Sequence, residues 1–204
     1  MSKTTKIVTI VLLVVITGVV GVFAFLSNKD QQERQEAVMT QVEKVLIRDL
    51  SNDYPPTPKE VIKYYVEIEK CFYADDTTDE DLEALGMKAR ELYDEELLEI
   101  NGLPDYLINL KADVERFKSQ GRKIVSVAVA SAINVDTFQE DGYEFARLTC
   151  GYNIIDEGVT KQMSKVYLLR RDENRLWKIY GWDNVKENTE NNAEDNANNV
   201  NLIE

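Results

Sequence analysis

The sequence predicts an α+β domain behind one membrane-spanning helix. Three features predict it: an uncharged apolar run near the N-terminus, helical hydrophobic periodicity from about residue 31 to 120, and period-two alternation from about residue 122 to 185. Helices first and sheet second is the order of an α+β fold rather than of alternating βαβ units.

The apolar run is IVTIVLLVVITGVVGVFAFL, Ile7 to Leu26. Its 20 residues carry no charge, and as a helix they would extend about 30 Å, enough to cross a hydrocarbon core. A cleaved signal peptide has an apolar core of about 7–15 residues followed by its cleavage site. Here the core is longer, and VFA at Val22 to Ala24, which could pass as such a site, lies inside it. An uncleaved anchor is therefore expected. Lysine and arginine counts on the two flanks nearly tie, but the short N-terminal flank and the large acidic C-terminal part predict N-inside, C-outside. The expected organisation is a cytoplasmic flank (1–6), the anchor (7–26), a helical stalk (27–52), an extracytoplasmic α+β domain (53–186) and an acidic, Asn-rich disordered tail (187–204).

Gln31 to Leu50 reads as a helix, with Val38, Val42, Val45, Leu46 and Leu50 on one face. Three prolines then interrupt. Thr57-Pro58-Lys59-Glu60 starts the next helix: Thr57 is a good N-cap, Pro58 suits the first position, and Glu60 can close a capping box. Val61, Tyr65, Ile68 and Phe72 share a broad stripe, so this helix should be well buried.

Tyr73 to Leu85 reads YADDTTDEDLEAL. An EF-hand calcium loop counted from Asp75 fails twice, because Glu80 stands where glycine belongs and Gly86 where the bidentate glutamate belongs. Thr78 with Asp81 instead makes a capping box, and Asp79, Glu80 and Asp81 complement the helix dipole. Asn101-Gly102 ends a helix, and Pro104 sits in the first turn of another, with Leu107, Leu110, Val114 and Phe117 facing inward.

The period then becomes two. RKIVSVAVASAINVD places Val125, Val127, Val129, Ile133 and Val135 on one face of a single strand. Asp141-Gly142 makes a hairpin turn. Strands follow from Tyr143 to Ile155, from Lys161 to Arg171, and through LWKIYGWDNV, giving an antiparallel meander of four long strands.

Composition excludes several functions. The chain has no histidine, which removes His-based triads, His-ligated zinc and histidine proton shuttles. Its net charge is −13, and residues from Ser27 onward hold 22 basic against 37 acidic groups, a surface that repels nucleic acid. Cys71 and Cys150 are expected to be small buried residues, with one disulfide as the alternative. No metal site, cofactor or catalytic residue is assigned.

The layout of a stalk, the Pro-led aromatic helix TPKEVIKYYVEIEKCFY, further helices and long strands ending in WKIYGW resembles the nuclear-transport-factor-2-like superfamily over Tyr54 to Val185. The chain also looks like members of a bacterial membrane-anchored family of unknown function. The superfamily resemblance implies a cone of helices on a curved antiparallel sheet. It also implies a choice among isomerases or dehydratases, ligand pockets and non-catalytic assembly modules, and the anchored assembly modules match the layout best. The expected function is a non-catalytic extracytoplasmic interaction or scaffold domain, with the membrane and another extracytoplasmic protein as partners. The alternative is a small-ligand pocket lined by Tyr65, Tyr152, Tyr167 and Trp182, and the third reading is an enzyme using a carboxylate and a tyrosine.

Overall fold

The computed structural model describes residues 39–185. The expected anchor, the first part of the stalk and the C-terminal tail lie outside the described residues. Among the described residues, no helix is long and apolar enough to cross a membrane. The chain divides into two compact units, Met1–Ile47 and Arg48–Glu204.

In the first unit, α1 (Gln41–Leu46) is capped by Thr40, whose side chain accepts from the Glu43 N–H while the Glu43 carboxylate accepts from the Thr40 N–H. Thr40 is extended there, so within the described residues the helix expected from Gln31 to Leu50 begins only at Gln41 and stops at Leu46; positions 31–38 lie outside the described residues. A Thr-x-x-Glu box satisfies orphan N–H groups only at a helix start, which is why it breaks the longer pattern.

The second unit opens with α2 (Pro58–Phe72), capped by Thr57 as expected. Glu60 closes no full box, because its carboxylate takes the Thr57 hydroxyl rather than the backbone N–H. α3 (Asp79–Arg90) carries the complete Thr78–Asp81 box, so the acidic stretch is a helix start. Asp75 of the same stretch pairs with Lys123, and Asp79 with Lys111. α4 (Glu95–Ile100) is capped by Asp94, and α5 (Leu103–Ser119) begins with proline in its first turn. α5 packs on α3 at Gly86, where a Cβ would stand 3.0 Å from the Leu107 side chain. Of its four expected inward residues Val114 is fully buried, and Leu107, Leu110 and Phe117 are half-buried.

The strands are β1 (Lys123–Val129), β2 (Asp136–Glu140), β3 (Tyr143–Asp156), β4 (Val159–Arg171) and β5 (Trp177–Val185), all antiparallel in the order β1-β3-β4-β5. The first long strand expected from sequence is two strands. β1 pairs with the far half of β3 and β2 with its near half, and a short 3-10 turn, Ala132–Asn134, separates them. A bulge between Ile124 and Ser126 also flips the phase. Ile124, Val127 and Val129 are the half-buried positions, while Val125 and Ile133 are exposed, contrary to the simple alternation. The Asp141-Gly142 turn forms with φ of 49° and 84°, left-handed values that suit a tight hairpin.

The core lies between α2, α3 and the sheet: Val61, Ile62, Ile68, Leu85, Leu92, Leu148, Leu169 and Ile179 are fully buried. The outer edge of β5 is covered around Ile179, which exchanges backbone hydrogen bonds with Leu92 and Asp94 at 2.8 and 2.9 Å.

Among the described residues two charged groups are fully buried, Glu69 and Asp94. Arg170 of β4 grips Asp94 with two hydrogen bonds of 3.0 and 2.5 Å and Glu96 with a third. The rings of Tyr143 and Tyr180 lie 4.7 and 4.9 Å from its guanidinium. This clamp ties α4 to the sheet. Arg170→Met should leave the Asp94 carboxylate buried without a cation and cost about 3–5 kcal/mol, as for other broken buried pairs. Lys123→Met, which breaks an exposed pair, should cost under about 1 kcal/mol. Urea denaturation of both variants checks the contrast.

Candidate functional site

The inner sheet face is set by alternation. On β3 it carries Leu148, Cys150, Tyr152 and Ile154, which pair with Tyr167, Lys165, Met163 and Lys161 on β4. Tyr167 in turn pairs with Trp182 of β5. α2 lies over this face with Tyr65 and Glu69 one helical turn apart on its buried side.

The rings of Tyr65, Tyr167 and Trp182 converge, with centroids 5.8 to 6.3 Å apart, and Tyr93 and Tyr106 extend the cluster. Tyr152 joins through its hydroxyl, 2.6 Å from that of Tyr167. The structure therefore brings all four sequence-named aromatics into one region, but in different settings. Tyr65 and Tyr167 are buried in the core and Trp182 is exposed, and of the four Tyr152 alone lines the pocket.

The polar centre is a residue the sequence reading did not name. The Tyr152 hydroxyl donates to Glu69 Oε2 at 2.6 Å, and Lys165 Nζ donates to Glu69 Oε1 at 2.5 Å. Lys165 also lies 4.8 Å from the Tyr152 ring centroid. Tyr152 has one hydroxyl hydrogen and gives it to Glu69, so Tyr167 must donate to Tyr152. Burial, then the Glu69 charge, raises the Tyr152 hydroxyl far above its ordinary range, and Tyr167 is raised for the same reasons. Both phenols remain protonated donors. A signal for Glu69 was present: it follows Tyr65 by four residues and precedes Phe72 by three, which puts a carboxylate on the apolar stripe.

Glu69, Lys165 and Tyr152 form the inner end of an open pocket of about 460 Å³. Tyr73, Phe117, Ile124, Ile154 and Met163 supply apolar walls, and the Tyr73 and Phe117 rings meet at 4.4 Å. The rim is charged. Arg122 holds Asp156 through two hydrogen bonds of 3.0 and 3.3 Å, and Lys161 adds a third at 2.8 Å. Arg116 pairs with Asp113 on α5.

Cys71 and Cys150 are free and buried, as expected of small core residues. Burial pushes their thiols up to about 11 and about 12, which suits inert core residues.

A family model described as a domain of unknown function (DUF6715) matches residues 1–182, and the chain belongs to that family. Among curated proteins none matches the sequence. Among solved structures, the chain is similar to the NMR solution structure of TraH from the Gram-positive conjugative plasmid pIP501. The two share 13% identity over 65% of this chain and 94% of that one, with a TM-score of 0.37.

Lys165→Met should strand the Glu69 carboxylate in the interior and lower stability by about 3 kcal/mol, while Glu69→Gln combined with Lys165→Met should recover part of that loss. A double-mutant cycle by urea denaturation measures the recovery. The rim gives a pH prediction. Hydrogen bonds from Arg122, then Lys161, hold Asp156 below the usual carboxylate range. Its contribution is therefore present above the unfolded value of about 3.9 and lost as pH falls through the lower folded value. The Tm advantage of the wild type over Asp156→Asn should be present at pH 7 and shrink steadily below about pH 4.

Proposed function

We propose that the chain is a membrane-anchored, extracytoplasmic domain that binds a small molecule without transforming it, at the open end of a nuclear-transport-factor-2-like cone. The observation that supports this most is the pocket of about 460 Å³, with apolar walls and a converging carboxylate, ammonium and phenol at its inner end. That volume and that mixture are typical of small-ligand sites. The α+β order and the bulged antiparallel sheet support the cone. The uncharged run Ile7 to Leu26 supports the anchor.

Catalysis is the weaker reading of the same residues. A general base needs an oxygen within reach of a substrate proton. Here each Glu69 oxygen already accepts a hydrogen bond from within the protein. A scaffold role is the second reading, supported by apolar side chains left in solvent on α4 and α5. Ile100 is 79% exposed and Ile108 66%, close in sequence to the acidic helices.

A fragment screen by ligand-observed NMR on the full chain tests the binding reading, repeated on Ile154→Trp, which puts an indole into the pocket. The expected result is hits that disappear in the variant. Hits that persist, or none at all, would sink the pocket and favour the scaffold. Removing residues 1–26 should move the protein from the membrane to the soluble fraction.

A further inference from the structure

We infer that the pocket takes a small organic anion, a carboxylate carried on an apolar or aromatic body; this rests on the reading of the pocket as a ligand site. Two observations point to it. First, the pocket lining reverses the charge of the whole. The protein carries −13, yet the pocket is lined by four cationic side chains against three carboxylates. Second, the lining has more hydrogen-bond donors than acceptors to receive them.

The donor surplus can be located. Both oxygens of Glu69 and both oxygens of Asp156 already accept hydrogen bonds from the protein. Lys161 gives Asp156 one of the three N–H groups of its ammonium, and Lys165 gives Glu69 one of its three. Arg122 uses two of the five N–H groups of its guanidinium on Asp156. Lys161 and Arg122 are more accessible than Lys165, with side chains 54% and 40% exposed against 17%, and Arg116 on the rim, 68% exposed, is paired with Asp113. A carboxylate entering past the rim would find charge-assisted donors from Lys161 and Arg122. An amine would find fewer openings: Glu69 and Asp156 already accept on both oxygens, and Asp113, the third lining carboxylate, is held by Arg116 through one of its two. Between the rim and the inner end, Tyr73, Phe117 and Met163 accept an apolar or aromatic body.

The test uses three probes with one body and different heads: phenylbutyrate, phenylbutanol and phenylbutylamine, titrated into the full-length chain by calorimetry and NMR. The expected order is carboxylate tightest, by about tenfold over the alcohol, with the amine weakest; tenfold corresponds to about 1.4 kcal/mol. Lys161→Gln should weaken phenylbutyrate by about tenfold and leave phenylbutanol unchanged. If the amine or the alcohol binds as well as the acid, the anion assignment is overturned while the pocket stands, provided that Ile154→Trp abolishes binding. If none of the three binds, or Ile154→Trp changes nothing, the pocket itself is overturned along with the assignment.

Discussion

The carboxylate of Glu69 is buried between α2 and the sheet, with Lys165 on one oxygen and Tyr152 on the other. A buried charge without a partner would cost several kcal/mol. The contact therefore constrains much of the surrounding structure. It fixes the rotation of α2, because Glu69 must meet β4 while Tyr65, one turn earlier, packs against Tyr167. It sets Tyr152 as a donor and, through it, the direction of the Tyr167 hydroxyl. It also makes one end of the core polar, and the pocket opens there.

β4 supplies the counter-charge twice. Lys165 faces α2 and neutralises Glu69, while Arg170, on the opposite face of the strand, neutralises Asp94. One strand thereby ties down two helices, the long α2 and the short α4. The two contacts differ in use. Arg170 is sandwiched by tyrosines and holds its carboxylates in a closed clamp. Lys165 lines an open pocket, so the same kind of ion pair closes a clamp in one place and borders a cavity in the other.

Local chemistry was legible in the sequence. Thr57-Pro58, the Thr78–Asp81 box and Asp141-Gly142 each satisfy or bend backbone within a few residues, and each forms as read. The break at Thr40 was equally local and was overridden by a longer apolar periodicity. What stayed hidden depends on partners far along the chain. Lys165 and Glu69 are 96 residues apart, and their meeting follows from strand register, which no short window encodes. The bulge at Val125 is similar: β1 turns Ile124 inward opposite Ile154, and the alternating valines alone cannot reveal the extra residue. Tyr65, Tyr152, Tyr167 and Trp182 were legible as aromatics on apolar faces. Which of them lines a pocket was decided by where α5 leaves the sheet uncovered.

Glu69, Lys165 and Tyr152 form a hydrogen-bonded knot around a buried carboxylate at the end of the pocket. The most direct measurement is the hydroxyl proton of Tyr152 by NMR. A phenol donating to a buried carboxylate should give a downfield, slowly exchanging signal that shows a cross-peak to Glu69 and vanishes in Glu69→Gln. A Tyr152 hydroxyl that exchanges with water as fast as an exposed tyrosine, unchanged by that substitution, would mean that no buried bond joins Tyr152 to Glu69.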